Sequence, residues 1–222
     1  MRGNEKRSVG SGRTRQVLSE PLQRLTSQID PRSALPKEPI AADPWIVSSL
    51  LQKSIRRGET EIAERAALTL YKLRGSAIWR RFMVIAFEDV GIGSVDAVTM
   101  TVAAGADAGW RKSCSGDLRV AVHLARVLAD APKDRSADYL CGAKDHAAVA
   151  IFAQEMAHEP LQVRLSNMSE NALALQQRAV ACLAAGNGDR ETLLASFREA
   201  GVPEDLVAAT GIAAVRTREP IT

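Results

Sequence analysis

The run RRFMVIAFEDVGIGSVDAV, from Arg80 to Val98, constrains the fold of this chain more than any other stretch. Ile78, Trp79, Phe82, Met83, Ile85 and Ala86 recur at helical spacing, which predicts one amphipathic helix from Ala77 to Val90 with a face in the core. Ser76 stands at its N-cap and Gly91 just past its last turn, where a left-handed residue ends a helix. Glu88 and Asp89 fall in that last turn, against the partial negative charge of the helix end. Cations must therefore sit nearby, and Lys53, Arg56 and Arg57, at the end of an earlier helix, are the expected ones. Adjacent helical positions point about 100° apart, so Glu88 and Asp89 are not expected to converge on one substrate. An ion-pair junction is favoured over an acid/base pair.

The rest of the chain points to the same class. Of its 222 residues 46% are hydrophobic but only 4% aromatic, with alanine prominent, a balance that suits closely packed helices rather than sheets. Asp43 followed by Pro44 starts a helix through Arg57, which Gly58 ends. A second, Glu59 to Arg74, carries Ile62, Ala66, Leu70 and Leu73 as its apolar stripe and stops at Gly75. Ser94 and Ser115 are expected to cap helices over Val95 to Ala106 and Gly116 to Ala131, with Pro132 closing the latter. Further helices are expected from Asp134 to Ala143 or on to Met156, from Ser169 to Ala185, from Asp189 to Ala200 and from Pro203 to Arg216. The expectation is all-α, a multi-helix bundle-like array with short antiparallel connections.

Residues 1–42 differ from the remainder. They are rich in Pro, Ser, Gly and Arg, and residues 1–40 hold eight Lys or Arg against four Asp or Glu. Such a mixture is expected to form a basic, mobile arm, with only a short helix near Val17 to Gln28. The helical domain is expected over 43–217, divided into 43–145 and a helical extension over 146–217. The charged N-terminal stretch lacks a following apolar region and no segment has a membrane span's length of apolar residues, so the expected location is cytoplasmic, without membrane association.

Little of the sequence carries chemistry. No G-x-x-x-x-G-K-[ST] loop is present, which removes the usual phosphate cradle and with it ATP hydrolysis by this chain alone. His123, His146 and His158 lie far apart, Cys114, Cys141 and Cys182 lack zinc-ligand spacing, and neither a metal nor a cofactor is expected. His123 on an apolar helix is expected to be a partly buried, hydrogen-bonded core residue. Arg2, Lys6, Arg7, Arg13 and Arg15 of the arm, with Arg80, Arg81, Arg111 and Lys112, are the candidate contacts to nucleic-acid phosphates.

Three segments together resemble a known family. LLQKSIRRG (Leu50 to Gly58) with AALTLYKL (Ala66 to Leu73), RRFMVIAFEDVG (Arg80 to Gly91) and AVHLARVLADAPKDRSADYL (Ala121 to Leu140) look like the C-terminal helical region of the RarA/MgsA family of clamp-loader-like AAA+ ATPases, in that family's order. The resemblance covers about residues 45 to 145, with the EDVG and APK elements its most specific parts. It implies a helical collar that assembles subunits, and it carries over to Lys53, Arg56, Gly58, Arg80, Arg81, Glu88, Asp89, Gly91, Pro132 and Lys133. The family's ATPase motor has no counterpart here, and the doubled Arg56-Arg57 and the segment Gly75 to Trp79 depart from its pattern.

The resulting expectation is a non-enzymatic oligomerisation module of DNA replication or recombination: a homo-oligomer such as a tetramer, touching DNA through its arm and meeting an AAA+ ATPase or another replication protein. Two alternatives stand beside it. One is an enzyme built from dispersed residues such as His123, Asp145, His146 and Glu155, and the other a regulator that joins another ATPase's oligomer.

Overall fold

In a computed structural model of the chain, residues 18–36, 38–135 and 201–217 are described, with isolated positions between 137 and 198. Among them the only regular secondary structure is helical. Helix α1 spans Ser19–Gln28, α2 Pro44–Arg57, α3 Thr60–Arg74 and α4 Ala77–Ile85. A π turn (Ala86–Val90) and a 3-10 turn (Gly91–Ser94) lead into α5, Val95–Ala106. Short α6 (Ala108–Cys114), α7 (Asp117–Asp130) and α8 (Glu204–Thr217) follow. None of these helices is long and apolar enough to cross a membrane.

Helix ends follow local chemistry where the sequence supplies it. The Asp43 carboxylate accepts from the Trp45 N–H at the head of α2, and Gly58 adopts φ 72° and ψ 23° at its tail. Ser94 and Asp107 cap α5 and α6 in the same way, accepting from Ala97 N and Trp110 N. Ser76 and Ser115 make no capping bond: Gly116 precedes α7, and α4 starts without a side-chain cap. Helix α6 was not expected, because seven residues containing Gly109 leave only the Asp107 cap as a signal.

Helices α2, α3 and α7 form one layer and α4 and α5 pack across it, around a core of Val47, Leu51, Ile55, Leu70, Phe82, Ile85, Leu124 and Leu128. The buried face of α3 centres on Ala63, Ala66, Ala67 and Leu70, and small residues here let α2 and α7 approach closely. Ile62 and Leu73, placed on that stripe by spacing, lie at its edges and remain 38% and 49% exposed.

Two segments outside residues 45 to 145 join the core. Leu18, Leu25 and Ile29 are buried, so α1 packs on α5 and the expected arm of residues 1–42 is not uniformly unpacked. The helix itself is the short one expected near Val17 to Gln28, and the spacing of three to four residues between Leu18, Pro21, Leu25 and Ile29 gives it the apolar face that is buried. At the other end α8 lays Ala209 and Ala213 against Met83 of α4 and Val102 of α5, so the chain returns to the part that carries the family resemblance. The helices expected from Asp134, Ser169 and Asp189 fall largely outside the described residues.

Candidate functional site

The acidic helix end is the most elaborate polar assembly among the described residues. Beyond Ile85 the helix widens into a π turn, a feature common where a helix is recruited to a special role. Widening carries Asp89 inward until it is fully buried, while Glu88 stays half-buried. Gln52 and Arg56, four residues apart on one face of α2, meet it there. Arg56 Nε donates to Asp89 Oδ1 at 2.6 Å. Gln52 Nε2 donates to both Asp89 Oδ2 and Glu88 Oε2 at 2.9 Å, so the two acids converge on one amide, contrary to the expectation from ordinary helical spacing. Arg81 donates to Gln52 Oε1, and Arg135 closes the other side, 3.4 Å from Asp89 and paired with Asp138.

Arg56, Arg81 and Arg135 thus face Glu88, Asp89 and Asp138 in a charge-balanced cluster. The hydrogen bond to Asp89 raises the Arg56 pKa above its ordinary value against the opposing effect of burial. Of the three expected cations only Arg56 takes part. Lys53 is exposed, and Arg57, one residue round the helix, points toward Glu59 at 4.0 Å. Gln52, Arg81 and Arg135 were not expected as partners: Gln52 lies 36 and 37 positions from the two acids, Arg135 is brought to Asp89 from a distant loop, and Arg81 joins through Gln52, 29 positions away.

The loop after α7 locks against this turn. Asp134 N–H donates to Val90 O at 3.1 Å. Gly91 and Gly93 lie so close to it that a Cβ on either would come within 2.9 Å of a backbone oxygen, of Asp134 and Pro132 respectively. Gly91 has φ 49° and ψ −137°, which is not the left-handed helical stop expected of it but an extended conformation at positive φ. Lys133 folds back to donate to Ala129 O at 2.8 Å and to Ala131 O, capping α7, and burial pushes its ammonium pKa down.

Burial raises the Glu88 pKa, with the Gln52 hydrogen bond and Arg81 pulling the other way and Asp89 adding to the rise. For an acid raised in the folded state, that state binds more protons than the unfolded chain between the two pKa values, so stability falls as pH climbs past the ordinary glutamate value of about 4.3. Thermal melts from about pH 4 to pH 7 are therefore expected to show Glu88→Gln gaining on the parent chain as pH rises. A widening advantage for the parent would mean that the charged form is the one the fold favours.

The other candidates separate. Arg111 is buried, stacked 4.3 Å over Trp79, paired with Asp117 at 3.0 Å and donating to Ala104 O, so it is not presented to nucleic acid as expected. Arg81 is committed to Gln52, and Arg80 and Lys112 are exposed. Arg2, Lys6, Arg7, Arg13 and Arg15 lie outside the described residues, as do Asp145 and His146. Glu155 is exposed, whereas His123 lies half-buried on α7. His123 Nε2 is shielded from solvent without the hydrogen bond expected of it. Among the described residues no group of three or more His, Cys, Asp or Glu is placed to hold a metal ion.

Compared with known proteins, the chain matches no family model, no curated protein and no solved structure.

Proposed function

We propose that the chain is a non-enzymatic helical assembly module of the clamp-loader collar type, working in DNA replication or recombination, and that its polar junction is structural rather than catalytic. The observation that carries this reading is the meeting of the two most specific family-like elements, EDVG at 88–91 and APK at 131–133. They lie far apart in sequence and close on one another through the Asp134–Val90 hydrogen bond and the glycine contacts. A carboxylate enclosed by Arg56, Gln52 and Arg135 has its charge spent inside the fold, which suits a rigid scaffold better than proton transfer.

Self-association supplies the functional step. Trp45 and Ile46 at the start of α2 and Leu73 near the end of α3 are exposed at 75%, 61% and 49%, and Arg74 is held 5.4 Å over the Trp45 ring. Tryptophan and arginine beside aliphatic groups is the composition of an interface hot spot. Light scattering on the full chain is expected to give a closed oligomer such as a tetramer, and Trp45→Asp with Leu73→Asp to give monomers of unchanged helicity. A monomeric parent chain would defeat the assembly reading. DNA contact falls to the N-terminal basic residues. Because Leu18 and Leu25 belong to the core, the informative deletion is residues 2–17, which removes Arg2, Lys6, Arg7, Arg13 and Arg15. If each meets a phosphate, that deletion lowers the salt dependence of binding by about four to five in log–log slope.

A further inference from the structure

Ile92 is as exposed as Trp45, both at 75%, the highest values among the large apolar side chains of the described residues. One exposed aliphatic group is ordinary on a protein surface. Ile92 differs in how it is held, between Gly91 and Gly93, whose backbones lie against Asp134 and Pro132 too closely to admit a Cβ. The turn is thereby fixed on both sides, and it presents Ile92 outward on a backbone that has little room to move.

Contacts along the helices place this turn and Trp45 at opposite ends of the layer formed by α2, α3 and α7. Thr60, the first residue of α3, donates to Asp130, the last of α7, at 2.5 Å. Arg126, one turn back on α7, meets Glu64, one turn on along α3, at 2.6 Å, so the two helices run antiparallel. A Cβ on Gly58, just past α2, would lie 3.5 Å from Ala129 O, and the loop that packs on Gly91 and Gly93 begins immediately after Asp130. The end of α2, the start of α3 and the Ile92 turn therefore share one end of the layer. Trp45 lies at the far end of α2, a 14-residue helix and so roughly 20 Å away, under the Arg74 guanidinium from the last turn of α3.

The two ends differ in the sign of their free charge. At the Trp45 end Lys72 and Arg74 are exposed, while the acids there are engaged, Asp43 with the Trp45 N–H and Asp117 with Arg111. At the Ile92 end Glu61 and Asp130 are exposed, and Asp130 accepts from a neutral hydroxyl. The cations of that end are turned elsewhere, Lys133 onto the Ala129 and Ala131 carbonyls and Arg57 toward Glu59 at 4.0 Å.

We infer that copies of this chain associate head to tail, Ile92 of one copy seating against Trp45 and Ile46 of the next, with Glu61 and Asp130 facing Lys72 and Arg74. The inference rests on the assembly reading and adds which surfaces meet. Such a contact covers the two most exposed apolar side chains with each other. Charge decides the pairing, because joining like ends would bring cations onto cations or acids onto acids. Since each copy carries one surface of each kind, addition continues until the rotation between neighbours closes a ring.

Mixing two variants tests this. Ile92→Asp removes one surface, and Trp45→Asp with Leu73→Asp removes the other; each chain alone should be monomeric by light scattering, with the circular dichroism of the parent. Mixed in equal amounts they should form a dimer of twice the 23.9 kDa chain mass and nothing larger, through the intact Trp45 end of one and the intact Ile92 end of the other. An interface in which each surface meets its own copy gives no such rescue. Ile92→Ser, which adds no charge, should weaken assembly of the chain about tenfold. An oligomeric parent whose Ile92→Asp variant keeps the parent mass overturns the head-to-tail contact alone, as do two monomeric variants that fail to pair. A monomeric parent overturns the assembly reading and this inference with it.

Discussion

Replacing Asp89 by alanine is expected to destabilise the fold by about 3 kcal/mol, the low end of the ~3–5 kcal/mol observed when one partner of a buried ion pair is removed. The carboxylate is fully buried and accepts from Arg56 and Gln52, with Arg135 alongside, so its loss leaves Arg56 Nε without its acceptor, takes one of two acceptors from Gln52 and removes a counter-charge from Arg135. The low end applies because the Arg56 and Arg135 side chains keep 32% and 26% of their exposure and can recover part of their hydration. For a domain of this size that corresponds to a fall of roughly 6–12 °C in Tm. Asp89→Asn keeps the shape and one acceptor and should fall between the two, near the ~1.5–3 kcal/mol of a hydrogen bond to a charged group. A double-mutant cycle with Arg56→Met isolates the pair and should return a coupling of at least about 1 kcal/mol. Urea unfolding of the parent and these four variants measures all of it. An Asp89→Ala chain as stable as its parent, or more so, would be the behaviour of a strained functional carboxylate and would defeat the structural assignment of the junction.

The same residues show how far the sequence could be read. Helix limits set by chemistry within a few residues were legible: Asp43-Pro44 and Gly58 around α2, Ser94 before α5, Pro203 before α8. So was the demand that Glu88 and Asp89 create for a cation, because the helix dipole is a local property. The identity of the partners was not. Choosing Arg56 over Arg57 depends on how α2 is rotated about its axis, and including Gln52, Arg81 and Arg135 depends on how three segments meet in space. The π turn was equally hidden, since inserting one extra residue per turn is rewarded only once Asp89 reaches its partners. Helix α1 was legible as the short helix near Val17 to Gln28, but its docking on the core was not: Pro, Ser and Arg dominate the composition of residues 1–42, while the four positions that bury it are a small minority.

Gly91→Ala is the second substitution with a large expected effect, and Gly75 supplies its control. Both glycines have nearly the same backbone conformation, φ 49° and ψ −137° at Gly91 against φ 53° and ψ −131° at Gly75. Any L-residue there bears the cost of a sparsely populated region, about 1–3 kcal/mol. Asparagine brings no relief, because its tolerance is for the left-handed helical region at positive ψ, which neither glycine occupies. The surroundings differ. A Cβ at Gly75 would meet nothing within 4 Å, whereas at Gly91 it would lie 2.9 Å from the Asp134 carbonyl oxygen. That oxygen belongs to backbone fixed by the Asp134 N–H bond to Val90 and by Pro132 and Lys133 packed under Gly93, so it cannot retreat as a flexible side-chain end would. Overpacking against a fixed group costs a further ~1–3 kcal/mol. Gly91→Ala should therefore be destabilised more than Gly75→Ala by that amount, and the difference between the two denaturation midpoints measures how tightly the loop after α7 is locked to the acidic turn. Equal losses would mean that the loop yields without cost, and the meeting of the EDVG and APK elements would then be a loose contact rather than the fixed joint that an assembly scaffold requires.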